Sequence, residues 1–215
     1  MLNWGGAGMS DGFSSYMEGV VQFNDYIMSL VLFVFWFVVV LVVLEVSWGL
    51  GGDREGGGVT VLEFIWTLLP VMLLVFMAYP SLVLLYISEV ALEADFSVSV
   101  VGHQWYWEYG VKGGSEDSYM SQVVAGDFRL LGVDNRLVLP AFSNVWVGAT
   151  SSDVIHSWAI PSLGVKIDCI PGRLNYLLLE VLGSGVFYGQ CSELCGVMHS
   201  FMPIVIEVIS VVDYV

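Results

Sequence analysis

Two cysteines four residues apart, Cys191 and Cys195, open a short run in which His199 follows Cys195 by four and Met202 follows His199 by three. From Gly189 to Met202 the chain reads GQCSELCGVMHSFM. Two thiolates, an imidazole and a thioether within twelve residues make a soft ligand set. Such a set suits copper, zinc or iron–sulfur rather than magnesium or calcium. The thioether narrows the choice, because it is a poor zinc ligand and a common weak ligand to copper in electron-transfer sites. One more imidazole is wanted, and the chain has only three histidines. His156, in SDVIHSW, is the natural candidate. Each residue alone has an ordinary explanation: paired cysteines act as small buried hydrophobes, and a methionine three after a histidine packs a core. Together, from so small a stock of Cys and His, they argue for a metal. Gly189, Gly196 and Pro203 mark the run as a loop between strands, not a helix.

Composition says what must carry this loop. With 215 residues the chain makes one or two domains. It is 57% apolar and only 13% charged, too oily for an ordinary soluble domain. A membrane part plus a soluble part is the simplest division. The net charge of −15 excludes nucleic acid and an anionic membrane surface as partners, since both attract basic patches, and favours a basic partner. Cys169, Cys191 and Cys195 are odd in number and irregular in spacing, so they describe no disulfide framework. The first twenty residues hold no basic n-region and no compact apolar run, so no secretory signal is expected.

Residues 1–24 read as an irregular, Gly- and Ser-rich lead, with one helical turn at 15–23. From Tyr26 to Leu44 nineteen residues carry no charge, close to the roughly 20 needed to cross a hydrocarbon core. Their Val, Ile and Phe would favour strand in water, but in lipid only a helix satisfies its own backbone. Asp25 and Glu45 bracket the run, and Trp48 stands where interfacial aromatics do. Residues 49–61 form a Gly-rich loop, short enough to make the flanking helices an antiparallel hairpin. Its one cation, Arg54, is offset by Asp53 and Glu55, so charge gives no orientation. Phe64 to Ile87 is a second uncharged run, interrupted by Pro70 and Pro80. The expected hairpin covers residues 25–88, with helices over about 25–47 and 62–88. Glu63 opens the second helix. It is either a carboxylate favoured by the helix dipole or a proton-uptake group at the membrane edge.

Beyond SEVALEADF the texture changes. β-branched and aromatic residues alternate with polar ones in SVSVVGHQWYWEY, RLLGVDNRLVLPAF, SNVWVGATSS, LNYLLLEVL, GVFYGQ and MPIVIEVISV. Short strands at this spacing predict a Greek-key β-sandwich or barrel over residues 97–215. GGSED, at 113–117, reads as a plain turn. In a cupredoxin-like site, one histidine comes from a mid-chain loop and the other ligands from the loop between the last two strands. One cysteine there would hold one copper. Two let a pair of thiolates bridge two coppers, an arrangement suited to fast electron transfer.

MEGVVQFND, EFIWTLLP, GHQWYWEY, DSYM, RLLGVDNRLVLP, SSDVIHSWAIPSLGVKIDCIPGRLN and GQCSELCGVMHSFMPI occur in this order. In these motifs, spread over most of residues 17–208, the chain resembles the cytochrome c oxidase subunit II family, and its metal run resembles that family's dinuclear copper A site. The resemblance implies His156, Cys191, Cys195, His199 and Met202 as copper ligands, with the backbone carbonyl of Glu193 as a further donor. It also implies that the Glu193 side chain holds a magnesium ion at the border with subunit I. It makes Trp105 the residue that receives electrons from cytochrome c, and Glu63 the mouth of a proton channel. Asp117, Asp134 and Asp153 stand where the family docks its basic donor. Asp168 and Arg173 resemble residues near the magnesium and the haem propionates. Cys169 has no ligand counterpart and is read as a buried free thiol. Taken on residue type alone, His103, Tyr106 and Trp107 are packing or hydrogen-bonding residues, and Glu193 is an ordinary loop acid.

Fourteen of the twenty-one acids and five of the six bases lie after residue 88, leaving the soluble part at about −9. A basic donor would be steered by that charge, and less so at high salt. The family's quinol-oxidising relatives lack the copper ligands. A membrane-tethered copper carrier would display exposed, Met-rich ligands without a hairpin of this kind. The resemblance therefore implies the electron-transfer subunit of a proton-pumping oxidase, associated with subunit I, other oxidase subunits and the lipid bilayer. The expected location is the mitochondrial inner membrane, with the copper domain and both termini in the intermembrane space; the alternative is a bacterial plasma membrane. The lack of a signal fits an organelle-encoded chain.

Overall fold

The computed structural model describes residues 8–48, 60–89, 93–111, 113–122 and 128–214. The chain divides into two units, one of Gly19–Glu89 and one of Met1–Glu18 with Val90–Val215.

Two helices dominate the first unit. α1 runs Ser15–Trp48 and α2 runs Thr60–Ser88. Both are long and apolar enough to cross a membrane. Large apolar side chains such as Phe33, Trp36, Val75 and Phe76 face outward along them, as a lipid-facing surface requires. Their few hydroxyls bond within the helix: Ser29 to the Tyr26 carbonyl, Thr67 to Glu63 and Ser88 to Leu85. Gly19 of α1 lies so close to Leu84 of α2 that a Cβ there would meet the leucine Cδ2. The start of one helix meets the end of the other, so the pair runs antiparallel. Of the loop expected at 49–61, Thr60 and Val61 belong to α2, and 49–59, with Arg54 and its acids, lie outside the described residues.

α1 begins well before Asp25, where the charge-free run is bounded. Ser14 is the reason. Its hydroxyl oxygen accepts from the Met17 N–H at 3.0 Å, and its carbonyl accepts from the Glu18 N–H, a helix N-cap. The same hydroxyl donates to the Leu163 carbonyl at 2.8 Å. Phe13 N–H bonds Ser162, and the Phe13 carbonyl accepts from Leu182. Residues 13–17 thus pack within the second unit, to which they belong, rather than forming a loose lead.

That unit is a β-sandwich. One sheet has the order β3-β2-β1-β5-β8, from β1 (Phe96–His103), β2 (Tyr106–Val111), β3 (Gly114–Ser118), β5 (Ser143–Ser151) and β8 (Asn175–Val181). The second is β4-β10-β9, from β4 (Leu137–Pro140), β9 (Gly185–Gln190) and β10 (Pro203–Ile209). β6 (His156–Ile160) and β7 (Val165–Cys169) form a two-stranded ribbon. β1 pairs parallel with β5, and β4 with β10; the other pairings are antiparallel. Val98 and Val100 of β1 and Val145, Val147 and Ala149 of β5 alternate inward, as a period of two demands. They pack with Trp107, Trp158, Leu139, Ile160, Leu179, Ile204 and Ile206 in one core.

Four details depart from the sequence expectation. GGSED is not a plain turn: most of it is β3, an edge strand paired with β2. Its charged, exposed residues blunt a sheet edge and carry no apolar alternation. In RLLGVDNRLVLPAF only Leu137–Pro140 is strand; the preceding stretch turns, with Leu130 at φ 64°. β6 and β7 were not separated as strands, because HSWAI is buried on every residue and shows no alternation. The last strand stops at Ile209, where Ser210 accepts from the Asp213 N–H and starts a four-residue helix, α3 (Val211–Tyr214).

Candidate metal centre

The run from Cys191 to Met202 connects β9 to β10 and contains only one 3-10 turn, His199–Phe201. Gly189 brings it into place. A Cβ at Gly189 would collide with the carbonyl oxygen of Ala159, so only glycine lets β9 pass so close to β6. The Ser192 N–H then donates to the Ser157 carbonyl at 2.9 Å. The loop is thereby held beside His156, the first residue of β6.

Around this junction the expected donors converge. The Cys191 and Cys195 sulfurs are 3.9 Å apart. His156 Nδ1 is 3.9 Å from the Cys191 sulfur, and His199 Nδ1 is 3.6 Å from that of Cys195. Met202 Sδ lies 3.5 Å from the Cys195 sulfur, and the Glu193 carbonyl oxygen 3.4 Å from that of Cys191. The ligand atoms of His156, Cys191 and Cys195 all fall within 4.8 Å of one another. Both cysteines, His156 and Met202 are buried, His156 and Met202 almost completely. Two imidazole nitrogens, two thiols, a thioether and a carbonyl face a common centre, a donor set that fits copper.

His156 is fixed from behind. Its Nε2 is 2.9 Å from Asp153 Oδ1. A carboxylate is acceptor only, so Nε2 carries the proton and Nδ1 turns its lone pair to the thiols. The ring also meets Trp107 edge-on at 5.9 Å. Burial resists ionisation of Cys191, but His156 and the backbone at Ser157 and Glu193 outweigh it and bring the thiol down to about 6. Cys195 goes the other way, pushed up to about 12 by burial and by the charge on Cys191. The two shifts oppose each other because a negative charge on one sulfur resists a second beside it; a bound metal would favour loss of both protons.

The remaining expected residues sit as follows. Trp105 is half-buried, its indole packed on Gly196 of the loop, and its Nε1 has no hydrogen-bond partner among the described residues. The Glu193 side chain is exposed. Asp168 Oδ1 accepts from Ser157 Oγ at 2.8 Å, next to His156 on β6. Cys169 is fully buried opposite His156 in the β6–β7 register, and burial pushes its thiol up to about 12. Glu63 stands in the exposed first turn of α2, in the helical unit.

The three candidate docking acids form one series. Asp134 Oδ1 accepts from the Tyr119 and Asn135 N–H groups, and Asn135 donates to the Asp117 carbonyl. Asp117 faces Glu108 across β2–β3. Glu108 bonds His103 at 3.1 Å, and His103 bonds Ser152, the neighbour of Asp153, at 2.7 Å. Sequence reasoning missed Glu108 and the neighbouring Gln104. Both stand in the aromatic run GHQWYWEY, but their partners are made by folding, and no spacing rule marks them.

The sequence matches the family models for the cytochrome C oxidase subunit II periplasmic domain over residues 96–209 and its transmembrane domain over residues 2–84. Cytochrome c oxidase subunit 2 of Metridium senile is 43% identical over 216 residues, spanning 97% of this chain and 87% of the relative. That of Oncopeltus fasciatus is 41% identical, spanning 100% and 96%. The crystal structure of the periplasmic domain of subunit II from Bradyrhizobium japonicum is 46% identical, with a TM-score of 0.55, covering 58% of this chain and 91% of that one. A subunit II domain caught in a mixed disulfide with a thioredoxin-like protein is 45% identical, with a TM-score of 0.52, covering 59% and 89%. The chain belongs to the cytochrome c oxidase subunit II family.

Proposed function

We propose that this chain is the electron-transfer subunit of a haem-copper oxidase. It takes electrons from a basic cytochrome c into a dinuclear copper A centre and hands them to haem in subunit I, where oxygen is reduced and protons are pumped. The observation that carries this reading is the pair of sulfurs, Cys191 and Cys195, 3.9 Å apart and each facing its own imidazole. One thiolate between one imidazole and one thioether would serve a single copper; two thiolates, each with a histidine, suit two.

His156, Cys191, Cys195, His199 and Met202, with the Glu193 carbonyl, would hold the two coppers. Bound there, the pair would take up and release one electron. The chain's own residues do the rest. The buried positions of His156, both cysteines and Met202 exclude water. Asp153 fixes the His156 ring, and the sheets behind it would resist movement of the ligands when an electron enters or leaves. Trp105, packed on the ligand loop, is the electron-uptake residue. The exposed Glu193 side chain would hold a magnesium ion shared with subunit I, while its carbonyl faces the Cys191 sulfur. Carboxylate oxygen suits that cation.

Asp117, Asp134 and Asp153, with Glu108 among them, form the docking series for the basic donor. The two apolar helices hold the chain in a membrane. We place the sheet domain on the donor's side, the intermembrane space of mitochondria. Glu63 is the proton-uptake carboxylate. The solved relative joined to a thioredoxin-like protein suggests that Cys191 and Cys195 are kept reduced until metal arrives.

The test is spectroscopic. The full chain in detergent, reduced and loaded with copper, should take two coppers and give a mixed-valence two-copper EPR signal. A single-copper signal, or none, sinks the reading.

A further inference from the structure

The turn between β1 and β2, Gln104–Trp105, rests on one corner of the ligand loop: Trp105 packs on Gly196, and Gln104 supplies directed bonds. The Gln104 main-chain N–H donates to Asp153 Oδ2 at 2.6 Å. The other oxygen of that carboxylate holds His156. The Gln104 side-chain amide donates from Nε2 to the Cys195 carbonyl oxygen at 2.7 Å. One glutamine therefore ties the turn to both sides of the ligand set, the β5–β6 connection whose Asp153 holds His156 and the loop that supplies Cys195.

The Trp105 ring packs against the core, but its indole N–H adds no directed bond. Its Nε1 is buried and without a partner among the described residues. Its ring lies on the bare backbone of Gly196, where a Cβ would come within 3.1 Å of the indole Cζ2 and 3.3 Å of Gln104 Nε2. Dispersion against a backbone is attractive but not directional, and an unpaired buried N–H works against burial. The ring needs a neighbour that fixes it, and Gln104 is the adjoining residue with two directed bonds. Gln104 itself is exposed, so core packing does not account for it.

We propose that Gln104 is a positioning residue. Its two-point clasp holds Trp105 at a constant gap from the Cys195–Gly196 corner and so sets how fast electrons pass from the ring into the ligand loop. The functional half of this statement rests on the role given above to Trp105; the clasp does not.

The test uses the full chain in detergent, metal-free and copper-loaded. Gln104→Met removes the amide at nearly constant length and keeps the main-chain bond. Gln104→Lys restores a donor on a flexible stem. In the metal-free chain, hydrogen exchange is followed at two N–H groups with defined partners, residue 104 on Asp153 and His199 on the Gly196 carbonyl. Gln104→Met should speed exchange at both by about five-fold, the factor that one ordinary hydrogen bond contributes, and Gln104→Lys should bring it back toward wild type. In the loaded chain, Gln104→Met should keep copper content and spectrum while reduction by cytochrome c slows several-fold, again recovering in Gln104→Lys. Unchanged exchange in Gln104→Met overturns the clasp, whatever the rate does. A lost copper spectrum overturns it too, because Gln104 would then be holding the site together. Faster exchange at an unchanged reduction rate overturns the functional half. If Trp105→Phe also leaves that rate unchanged, the fault lies in the role given to Trp105.

Discussion

Asp153 Oδ1 lies 2.9 Å from Nε2 of His156, on the side of the ring away from the thiols. Asp153 is engaged within the chain: besides His156 it accepts from the Gln104 and Val154 N–H groups. Carboxylates that orient a metal-binding histidine typically contribute 10- to 100-fold in affinity. Asp153→Ala should therefore weaken copper binding by roughly that factor, read by competition with a chelator. There is also a pH signature in the metal-free chain. Burial opposes the charge on Asp153, but the bonds from His156 and the two backbone N–H groups outweigh it and hold the carboxyl below 3.8. The folded state thus binds that proton less readily than the unfolded one. Its contribution to stability is complete above about pH 4 and is lost as pH falls through the lower folded value. Between pH 5 and 2, melting of the wild type should fall further than that of Asp153→Asn. Equal falls would mean that the carboxylate makes no such bonds in solution.

The three thiols should separate chemically before metal is added. Thiolate is the nucleophile. Cys191 is brought down to about 6, while Cys195 and Cys169 are pushed up to about 12. Brief alkylation of the folded, metal-free chain at pH 7.5, mapped by mass spectrometry, should mark Cys191 first and leave Cys169 unmarked. Copper should protect Cys191. Cys169→Ala should keep copper content and spectrum unchanged; loss of one copper would make Cys169 a ligand.

The spacing of Cys191, Cys195, His199 and Met202 exposed the metal loop in the sequence because all four ligands lie on one connection. His156 was found by scarcity, as one of three histidines. The charge-free runs revealed both helices because lipid leaves the backbone no other choice. Asp153 was marked only as a docking acid, by the resemblance; its bonds to Gln104 and to the far nitrogen of His156 are made by folding and carry no sequence signal. β3 was hidden because an edge strand made of Ser, Glu and Asp carries no alternation. α1 was foreseen too short because Ser14, its cap, lies beyond the apolar run.

Met202 ties the metal loop to the core as well as offering its sulfur. Its carbonyl accepts from Trp107 Nε1 at 3.2 Å, while Sδ faces Cys195. Met202→Leu conserves volume and leaves that carbonyl in place, so folding should lose under about 1.5 kcal/mol. Copper should remain at full stoichiometry, with a shifted reduction potential, since the thioether is a weak ligand. Complete metal loss would make Met202 a principal ligand.

Glu63 stands in the helical unit, and its role separates cleanly from electron uptake. In the assembled oxidase, Glu63→Gln should slow steady-state turnover and proton uptake while cytochrome c reduces the copper centre at the wild-type rate. Unchanged turnover would leave Glu63 as a helix-terminal carboxylate that complements the dipole.

Asp117 tests docking without touching the metal. It sits on edge strand β3, exposed, opposite Glu108 in the register. Like charges directly opposite one another destabilise a strand pair, so removing one should not harm the fold. An exposed charge acts on a partner mainly through the rate of encounter, and that action is screened over about 10 Å at 0.1 M salt. Asp117→Asn should slow association with a basic cytochrome c at low salt, flatten the salt dependence and leave the copper spectrum alone. Asp153→Asn should differ, because its carboxylate also serves His156: the spectrum or the affinity for copper should change along with the association rate. If both variants alter only association, Asp153 belongs to the docking surface alone. If Asp117→Asn leaves the salt dependence intact, the donor meets a different face of the domain.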